Sequence, residues 1–405
     1  MRKKVYLYHF FASLVTISTI GCSQEEFQNS FSFTERTQES NKLDNASKQA
    51  LDFVRSLGII TRSSNDLEEM ESAYALTKDV FLPIMRSKDN WEVLPDTVLY
   101  VVNLKGDKGY VLVSAIDQIV LAYIEHGKMP EIDSINNPGL TLFLNGVIDD
   151  IANPRGRDSL VPVGPIQYPY TIDTLYTPML TTGWGQDSPY NLFCPTIDGV
   201  RCPAGCVAVA VAQIVAYHEH PSSYNGTGFD WESIKADSVP IYTPDQLSVA
   251  HLMVDIGRIV GMGYESGLSH ANSLNVAQCL DSLGYHHTSL LAYDYNTCMH
   301  EFENNRPVYI KGARIDTTSN TISQYGHAWV LDGGIVRSIH MKDFWGKSYS
   351  RINIQRLVHC NWGEEGYQDG YFHSDILDRN LGVDITRTAY TENLQIYYEI
   401  YPDSN

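Results

Sequence analysis

Cysteine, positive charge and long apolar segments are all scarce in this sequence. Seven cysteines in 405 residues are an odd number, and too few for a disulfide scaffold of this length. Lysine and arginine total 29 against 48 aspartates and glutamates, and the net charge of −19 argues against nucleic acid as a partner because no basic patch could easily neutralise phosphates. After the N-terminus, no segment has the roughly 20 apolar residues that a membrane span needs.

The N-terminus itself is basic and then apolar. Residues 1–22, MRKKVYLYHFFASLVTISTIGC, have the pattern of a secretion signal. The ending STIGC resembles a bacterial lipobox and predicts lipidation of Cys22, although a plain cleaved signal or an uncleaved anchor would fit the same pattern. The following SQEEF resembles the acidic export tags of some surface lipoproteins. We therefore expect an exported protein, attached through a lipid to the bacterial outer membrane or the cell surface.

Composition divides the rest of the chain into a flexible tether, a small α+β unit, an exposed connection and an enzyme-sized domain. The predicted boundaries are 23–44, 45–152, 153–165 and 166–405. Within the α+β unit, apolar spacing predicts a helix over 46–58, a hairpin over 97–115 and a strand over 119–128. The connection, NPRGRDSLVPVGP, is rich in proline, glycine and arginine. It is either a simple linker or a segment that is cut during activation.

Three cysteines lie close together in residues 194–221, CPTIDGVRCPAGCVAVAVAQIVAYHEHP. The apolar run predicts a buried helix that begins at Cys206. His218 then lies about 18 Å along the helix axis, so it cannot share a zinc ion with Cys206, and we predict no metal site. A cysteine at a helix N-terminus, preceded by Gly205, would have its thiolate stabilised by free backbone N–H groups. It is either a nucleophile or a buried structural cysteine.

A histidine and an asparagine later in the chain favour the nucleophile. His327 begins an alternating apolar strand in YGHAWVLDGG, where Asp332 is predicted to be a turn residue, and Asn361 precedes Trp362 in LVHCNWGEEGYQDGYF. Cysteine, histidine and asparagine in this chain order are the arrangement of papain-like peptidases. We expect His327 to be the base, Asn361 to orient the imidazole through its ring N–H, and Trp362 to shield that bond from water.

Four motifs together carry a family resemblance. GWGQDSPYN at 183–191, GCVAVAVAQIVAYHEHP, GHAWVLDGG and NWGEEGYQDGYF resemble the streptopain family of papain-clan cysteine peptidases. The resemblance implies an α+β fold: a two-lobed papain-like peptidase domain, with a central helix bearing the nucleophile on an antiparallel sheet, preceded by an inhibitory prodomain over 45–152. It implies a secreted cysteine endopeptidase, made as a zymogen, that hydrolyses protein or peptide substrates through an acyl-enzyme thioester without a cofactor.

The residues that match the family motifs take the family's roles. Cys206 is the expected nucleophile and His327 the expected general base and acid. Gln186 is expected to support the oxyanion, and Asn361 and Trp362 are expected to support the histidine. The residues expected to border the substrate cleft are Gly326, Ser266 and Gly267.

Three features depart from the family pattern. Residues 335–355 look like an insertion between strands that would reshape the cleft. Glu364 and Glu365 make the following turn more acidic, which could change the substrate charge that the enzyme prefers. Cys194 and Cys202 are extra cysteines that could close a short disulfide. Two other functions stay open: an acyl transferase or amidase of the transglutaminase type, and a catalytically inactive surface binding module.

Overall fold

The structure is a computed structural model that describes residues 24–60, 66–84, 88–152, 170–235, 243–316, 323–342, 349–377 and 394–403. Three predictions lie outside these residues: the signal peptide, the lipidation of Cys22 and the exposed connection at 153–165. Within the described part of the chain, no helix is long and apolar enough to cross a membrane.

Short helices and antiparallel strands make up the described chain. The α-helices are α1 Gln24–Ser56, α2 Asp66–Glu69, α3 Pro138–Ala152, α4 Cys206–His218, α5 Trp231–Lys235, α6 Pro244–Ile259, α7 Val276–Ser282, α8 Tyr295–Glu303 and α9 Ser374–Leu377. The 3-10 helices are Lys78–Phe81, Lys88–Val93, Ile132–Ser134 and Ser273–Asn275. The strands are β1 Met70–Thr77, β2 Thr97–Leu104, β3 Tyr110–Ser114, β4 Val120–Ile124, β5 Tyr170–Tyr176, β6 Thr196–Ile197, β7 Val200–Arg201, β8 Ser223–Tyr224, β9 Thr227–Gly228, β10 Gly263–Glu265, β11 Leu268–His270, β12 Tyr285–His286, β13 Leu291–Ala292, β14 Val308–Asp316, β15 Ser323–Lys342, β16 Tyr349–Asn361, β17 Gly370–His373, β18 Gln395–Tyr397 and β19 Tyr401–Pro402.

One antiparallel sheet runs through an N-terminal unit, residues 24–152, and a C-terminal domain, residues 170–403. Its strand order is β1-β2-β3-β4-β17-β16-β15-β14-β18-β13, and β5 pairs with β15 beside this path. The two parts join where β4 pairs with β17, with Tyr123 opposite Tyr371 and Ala122 opposite Phe372. Backbone hydrogen bonds therefore connect the two parts directly. Helices packed on this sheet confirm the predicted α+β class.

The N-terminal unit has its sheet layered between two helices. The predicted hairpin forms β2 and β3, and the next predicted strand is β4. Phe53 and Val54 of α1 pack with the alternate residues Tyr100 and Val102 of β2. Helix α3 packs with the residues between them, such as Val101. Because neighbouring residues of a strand point to opposite faces, both faces of this sheet are covered.

The tether predicted over 23–44 is wrong, because α1 already begins at Gln24. The helix predicted over 46–58 is the C-terminal part of α1, and it ends at the predicted glycine, since Gly58 has φ +77° and its N–H bonds to the Arg55 carbonyl. Residues 24–44 are rich in glutamate and glutamine. These residues form helix readily without an apolar stripe, so the missing periodicity did not exclude a helix.

Helix α4 lies at the centre of the C-terminal domain and begins at Cys206, as predicted. All of its residues from 207 to 216 are buried, and it packs on β15, α6 and α7. A helix enclosed by a sheet on one side and helices on the other must be apolar all round. This enclosure explains the valine and alanine composition, and it gives the helix N-terminus a rigid position.

The segment 335–355 is not a separate insertion between strands. Strands β15 and β16 stay paired outward as far as Lys342 and Tyr349, and the same stretch of β15 also pairs with β5. Its described parts, 335–342 and 349–355, therefore lengthen two neighbouring strands of the sheet. Its alternation of branched apolar and polar residues is typical of such strands.

A buried charged cluster lies where the two parts join. His359 Nδ1 is 2.6 Å from Asp332 Oδ1, and His359 Nε2 is 3.5 Å from Oε2 of Glu125 in the N-terminal unit. Asp332 is fully buried within β15 and accepts a hydrogen bond from the Leu180 N–H, so its prediction as a turn residue is wrong. Burial alone would lower the pKa of His359, but Asp332 and Glu125 outweigh it and raise the pKa to about 10. His359 is therefore a buried cation between two carboxylates.

We predict that His359→Gln lowers the free energy of unfolding of the Cys206→Ala chain by about 3–5 kcal/mol at pH 7, because the buried Asp332 and the partly buried Glu125 lose their cation. Folding raises the pKa of His359 above its unfolded value of about 6.5. Its contribution is therefore complete below that pH and is lost as the pH rises through about 10. Urea unfolding below the unfolded pKa of about 6.5 and near the folded pKa of about 10 measures the difference in the free energy of unfolding. The control is His286→Gln, at an exposed histidine 3.6 Å from Glu399; equal losses in the two variants would contradict the prediction.

Candidate active site

Helix α4 presents Cys206 in its first turn. Gly205 before it has φ +92° and ψ 135° and makes no side-chain cap. The backbone N–H groups of Cys206 and Val207 instead make hydrogen bonds to the Cys206 sulfur, which lower the pKa of its thiol. A Cβ on Gly205 would lie 2.6 Å from Met262 Cε. Both the backbone conformation and the space therefore require glycine. The Cys206 thiol lies where the helix dipole favours an anion.

The Cys206 thiol is half-buried beside the strand that carries His327. The backbone N–H of Ala328, the next residue of β15, makes a hydrogen bond to the sulfur. Burial raises the pKa of the Cys206 thiol, the Ala328 N–H lowers it, and the charge of Glu364 raises it again. The net shift is upward, so the sulfur is a protonated thiol at neutral pH and needs a base to become a nucleophile.

His327 has one ring nitrogen committed to a hydrogen bond. Its Nε2 lies 2.9 Å from the Trp362 carbonyl oxygen, and a carbonyl can only accept, so Nε2 carries the proton. Nδ1 is therefore unprotonated in the neutral ring and is able to accept a proton. The ring stacks on Trp329 at 5.8 Å between centroids and lies against Trp362 at 6.3 Å. Burial in this apolar setting lowers the pKa of His327 to about 4, against the raising effect of the Trp362 carbonyl.

Asn361 does not make the hydrogen bond that was predicted for it. Its side-chain oxygen accepts from Gln213 Nε2 at 2.9 Å and from the Gly363 N–H at 3.1 Å, while its Nδ2 donates to the Thr182 carbonyl at 2.9 Å. The backbone carbonyl of Trp362, rather than the Asn361 side chain, orients the imidazole. The prediction that Trp362 shields the histidine agrees with the ring packing.

Gln213 is a residue of the site for which the sequence predicted no role. It is fully buried in the middle of α4. Its Oε1 accepts from Thr182 Oγ1 at 3.0 Å and from the Trp184 N–H at 3.3 Å, and its Nε2 donates to Asn361. One amide thus ties together the nucleophile helix, the segment before Gln186 and the end of β16. A single polar residue inside an apolar helix was the signal that could have identified it.

Gln186 lies next to the start of α4. Its backbone carbonyl accepts a 2.7 Å hydrogen bond from the N–H of Ala204, two residues before Cys206. Its side-chain Nε2 donates to Glu364 Oε1 at 2.8 Å. The structure therefore brings the predicted oxyanion donor and the predicted nucleophile together, with the amide of Gln186 bound to a carboxyl group.

The three residues predicted to contact substrate are exposed. Gly326 directly precedes His327 on β15, and Ser266 and Gly267 form the tip of the hairpin between β10 and β11. The base of this hairpin is fixed to the start of α4, because Ser269 Oγ donates to the Pro203 carbonyl at 2.7 Å. The hairpin and the histidine strand thus both reach Cys206, and the substrate contacts themselves stay a prediction.

The remaining cysteines near the nucleophile are free thiols. Cys194 and Cys202 are both buried and unpaired, so the predicted disulfide is not present. The Cys194 sulfur lies 3.9 Å from the Tyr264 hydroxyl, and the hairpin of β6 and β7 between the two cysteines closes through its own backbone pairs. Among the described residues, no group of three or more His, Cys, Asp or Glu is arranged to hold a metal ion.

Helix α3 of the N-terminal unit packs on Trp362 and on the turn that follows it. A Cβ on Gly139 would lie 2.0 Å from Trp362 Cε3, so the helix backbone touches the indole. Asn137 caps α3 with its Oδ1 and donates from Nδ2 to the Tyr367 carbonyl at 3.0 Å. The N-terminal unit therefore contacts the same tryptophan whose carbonyl holds His327.

Comparison with known proteins identifies both parts of the chain. Residues 184–372 match the Peptidase C10 family, and residues 37–151 match the Spi protease inhibitor family. Streptopain from Streptococcus pyogenes is 24% identical over 332 residues, covering 69% of this chain and 74% of the relative. Residues 184–372 form a cysteine peptidase domain of the C10 family. The N-terminal unit is its inhibitory prodomain.

The fold of this C10 peptidase is shared with a solved zymogen. The structure of a prointerpain A fragment from Prevotella intermedia matches with a TM-score of 0.54 at 22% identity, covering 76% of this chain and 96% of that chain. The prodomain and the peptidase domain of this chain therefore have the two-part fold that the sequence resemblance implied.

We predict that Gln213→Leu destabilises the Cys206→Ala form of the C10 peptidase by about 2–4 kcal/mol, because Thr182 and Asn361 are left with buried unpaired groups. Urea unfolding gives the value. Gln278→Leu is the matched control, because Gln278 is exposed on α7. A loss for Gln213→Leu no greater than that of the control would contradict the role of this amide.

Proposed function

We propose that this C10 peptidase is an exported endopeptidase, made as a zymogen, in which Cys206 is the nucleophile and His327 the general base and acid. The observation that carries the proposal is the hydrogen bond from His327 Nε2 to the Trp362 carbonyl. This hydrogen bond leaves Nδ1 of His327 free to accept a proton. Ala328, the next residue of the same strand, donates its backbone N–H to the Cys206 thiol. The resemblance to streptopain supports the same assignment.

In the proposed reaction, His327 Nδ1 takes the thiol proton while the Cys206 sulfur forms a bond to the peptide carbonyl carbon. The backbone N–H of Cys206 and the side chain of Gln186 hold the resulting oxyanion. His327 then returns the proton to the leaving amine as the C–N bond breaks, which leaves a thioester. Water attacks this thioester with His327 as base, and the free acid and the thiol are regenerated.

The zymogen state follows from how the prodomain contacts the site. Cys206 is half-buried and His327 is buried. Helix α3 covers Trp362, and strand β4 continues the peptidase sheet. We expect cleavage within 153–165 to release these contacts and to let solvent and substrate reach the pair.

The test is incubation of the purified full-length chain and of its Cys206→Ala form, followed by mapping of the new N-termini by mass spectrometry. The wild-type chain is expected to be cut within 153–165, to hydrolyse peptides and to react with a thiol-directed epoxide. The Cys206→Ala form should do none of these, while Cys279→Ala, which removes a buried thiol of α7, should keep all three. Peptide hydrolysis that survives in Cys206→Ala would overturn the assignment.

The export signal supports a second part of the proposal, that the enzyme is held at a bacterial membrane by a lipid on Cys22. In the native host, the wild-type zymogen is expected to partition with membranes and to incorporate a labelled fatty acid. Cys22→Ala should lose the label and appear in the soluble fraction. Undiminished labelling or membrane association of Cys22→Ala would exclude this anchor, and protease treatment of whole cells reports whether the enzyme faces outward.

A further inference from the structure

The turn at 363–367 places a carboxyl group against the predicted oxyanion donor. Glu364 Oε1 accepts the hydrogen bond from Gln186 Nε2 at 2.8 Å. The turn is fixed on the segment that carries Gln186, because the Glu365 N–H donates to the Trp184 carbonyl at 3.2 Å and the Gly363 N–H donates to Asn361. Glu364 therefore reaches Gln186 from a rigid backbone.

The same carboxyl acts on the nucleophile. The charge of Glu364 contributes to the raised pKa of the Cys206 thiol, so the carboxylate opposes formation of the thiolate. An oxyanion held by Gln186 would form beside the same negative charge. Both charges of the acylation step, on sulfur and on oxygen, are therefore disfavoured while Glu364 is ionised.

Other acidic groups face Glu364. Asp187, which follows Gln186 in the chain, and Glu365 in the same turn both act on it, and both favour its protonated form. Gln186 is the hydrogen-bond donor that favours its ionised form. Glu364 is half-buried while Glu365 is exposed, so the two glutamates of this turn differ in how strongly they act on the site.

We propose that Glu364 is a positioning residue that limits the peptidase at alkaline pH: it holds the Gln186 amide, and when it is ionised it also repels the reacting charges. The proposal rests on the proposed roles of Cys206 and Gln186. It assigns to the acidic turn a role in the rate of acylation rather than in the choice of substrate charge.

The direction of the pH effect follows from the environment of this carboxyl. Burial raises the pKa of Glu364 to about 7, although the hydrogen bond from Gln186 lowers it, and Asp187 and Glu365 raise it further. The ionised fraction of Glu364 therefore grows as the pH rises through neutrality. The step that forms the oxyanion is expected to become slower over the same range.

The test measures kcat/KM of the processed enzyme and the alkylation rate of Cys206 by iodoacetamide from pH 5.5 to pH 9. Glu364→Gln keeps an acceptor for Gln186 and removes the charge, so its kcat/KM above pH 8 should exceed that of wild type by about threefold to tenfold. The thiol of this variant should also be alkylated with a lower apparent pKa. Glu303→Gln, at an exposed glutamate of α8, is the control and should keep the wild-type profile.

Two results would overturn the inference. One is a Glu364→Gln variant whose pH profile and alkylation pKa both equal those of wild type. The other is a variant that loses activity equally at every pH, which would make Glu364 a structural residue only. Failure of the proposed function would give a different result: the wild-type enzyme would be inactive, or Cys206→Ala would be active. In either case the alkylation rate would still report the effect of Glu364 on the Cys206 thiol.

Discussion

The buried amide of Gln213 is the constraint on which the active site depends. It lies within an apolar helix, where an unpaired amide would cost about 1–3 kcal/mol for each missing hydrogen bond, so its partners must occupy fixed positions. Those partners are Thr182, the Trp184 N–H and Asn361. Through them, the helix that starts with Cys206, the segment that leads to Gln186 and the strand that ends at Trp362 are held in one arrangement.

The prodomain and the active site share the stretch of chain from His359 to Gly370. Glu125 of the prodomain pairs with the buried charge of His359, and the Glu125 N–H donates to the Asp369 carbonyl. Asp369 in turn accepts the hydrogen bond from the Trp362 N–H at 2.8 Å. The prodomain contacts and the candidate active site therefore share the same short segment. Loss of the prodomain would change the surroundings of Trp362, whose carbonyl holds His327.

The sequence predicted the side chains of the site better than it predicted their hydrogen bonds. The start of α4 at Cys206 and the strand position of His327 follow from local periodicity and glycine placement, and the structure agrees with both. The prediction that Asn361 is the hydrogen-bond partner of His327 was wrong. The observed partner is the Trp362 carbonyl, and because every residue has a backbone carbonyl, the sequence does not indicate which one is used. Asn361 instead bonds to a residue of α4, a contact that only the packed structure brings about.

The contacts of His359 with Asp332 and Glu125 could not be predicted from the sequence for a related reason. Asp332, His359 and Glu125 are far apart in the chain, and the sheet that crosses both domains brings them together. Asp332 beside a Gly-Gly pair has the local pattern of a turn, yet β15 continues through it as a buried strand. The acidic turn at Glu364 was recognised as unusual, but its contact with Gln186 depends on how that turn packs on the Trp184 segment.

The Trp362 carbonyl fixes His327 in the form in which Nε2 carries the proton and Nδ1 is unprotonated. The most direct measurement is a two-bond proton–nitrogen NMR spectrum of the histidine rings in the Cys206→Ala chain, with His327→Gln used to assign the signal. The structure predicts a neutral His327 ring protonated on Nε2 across neutral pH. A ring protonated on Nδ1, or one that carries both protons at neutral pH, would contradict this protonation state of His327.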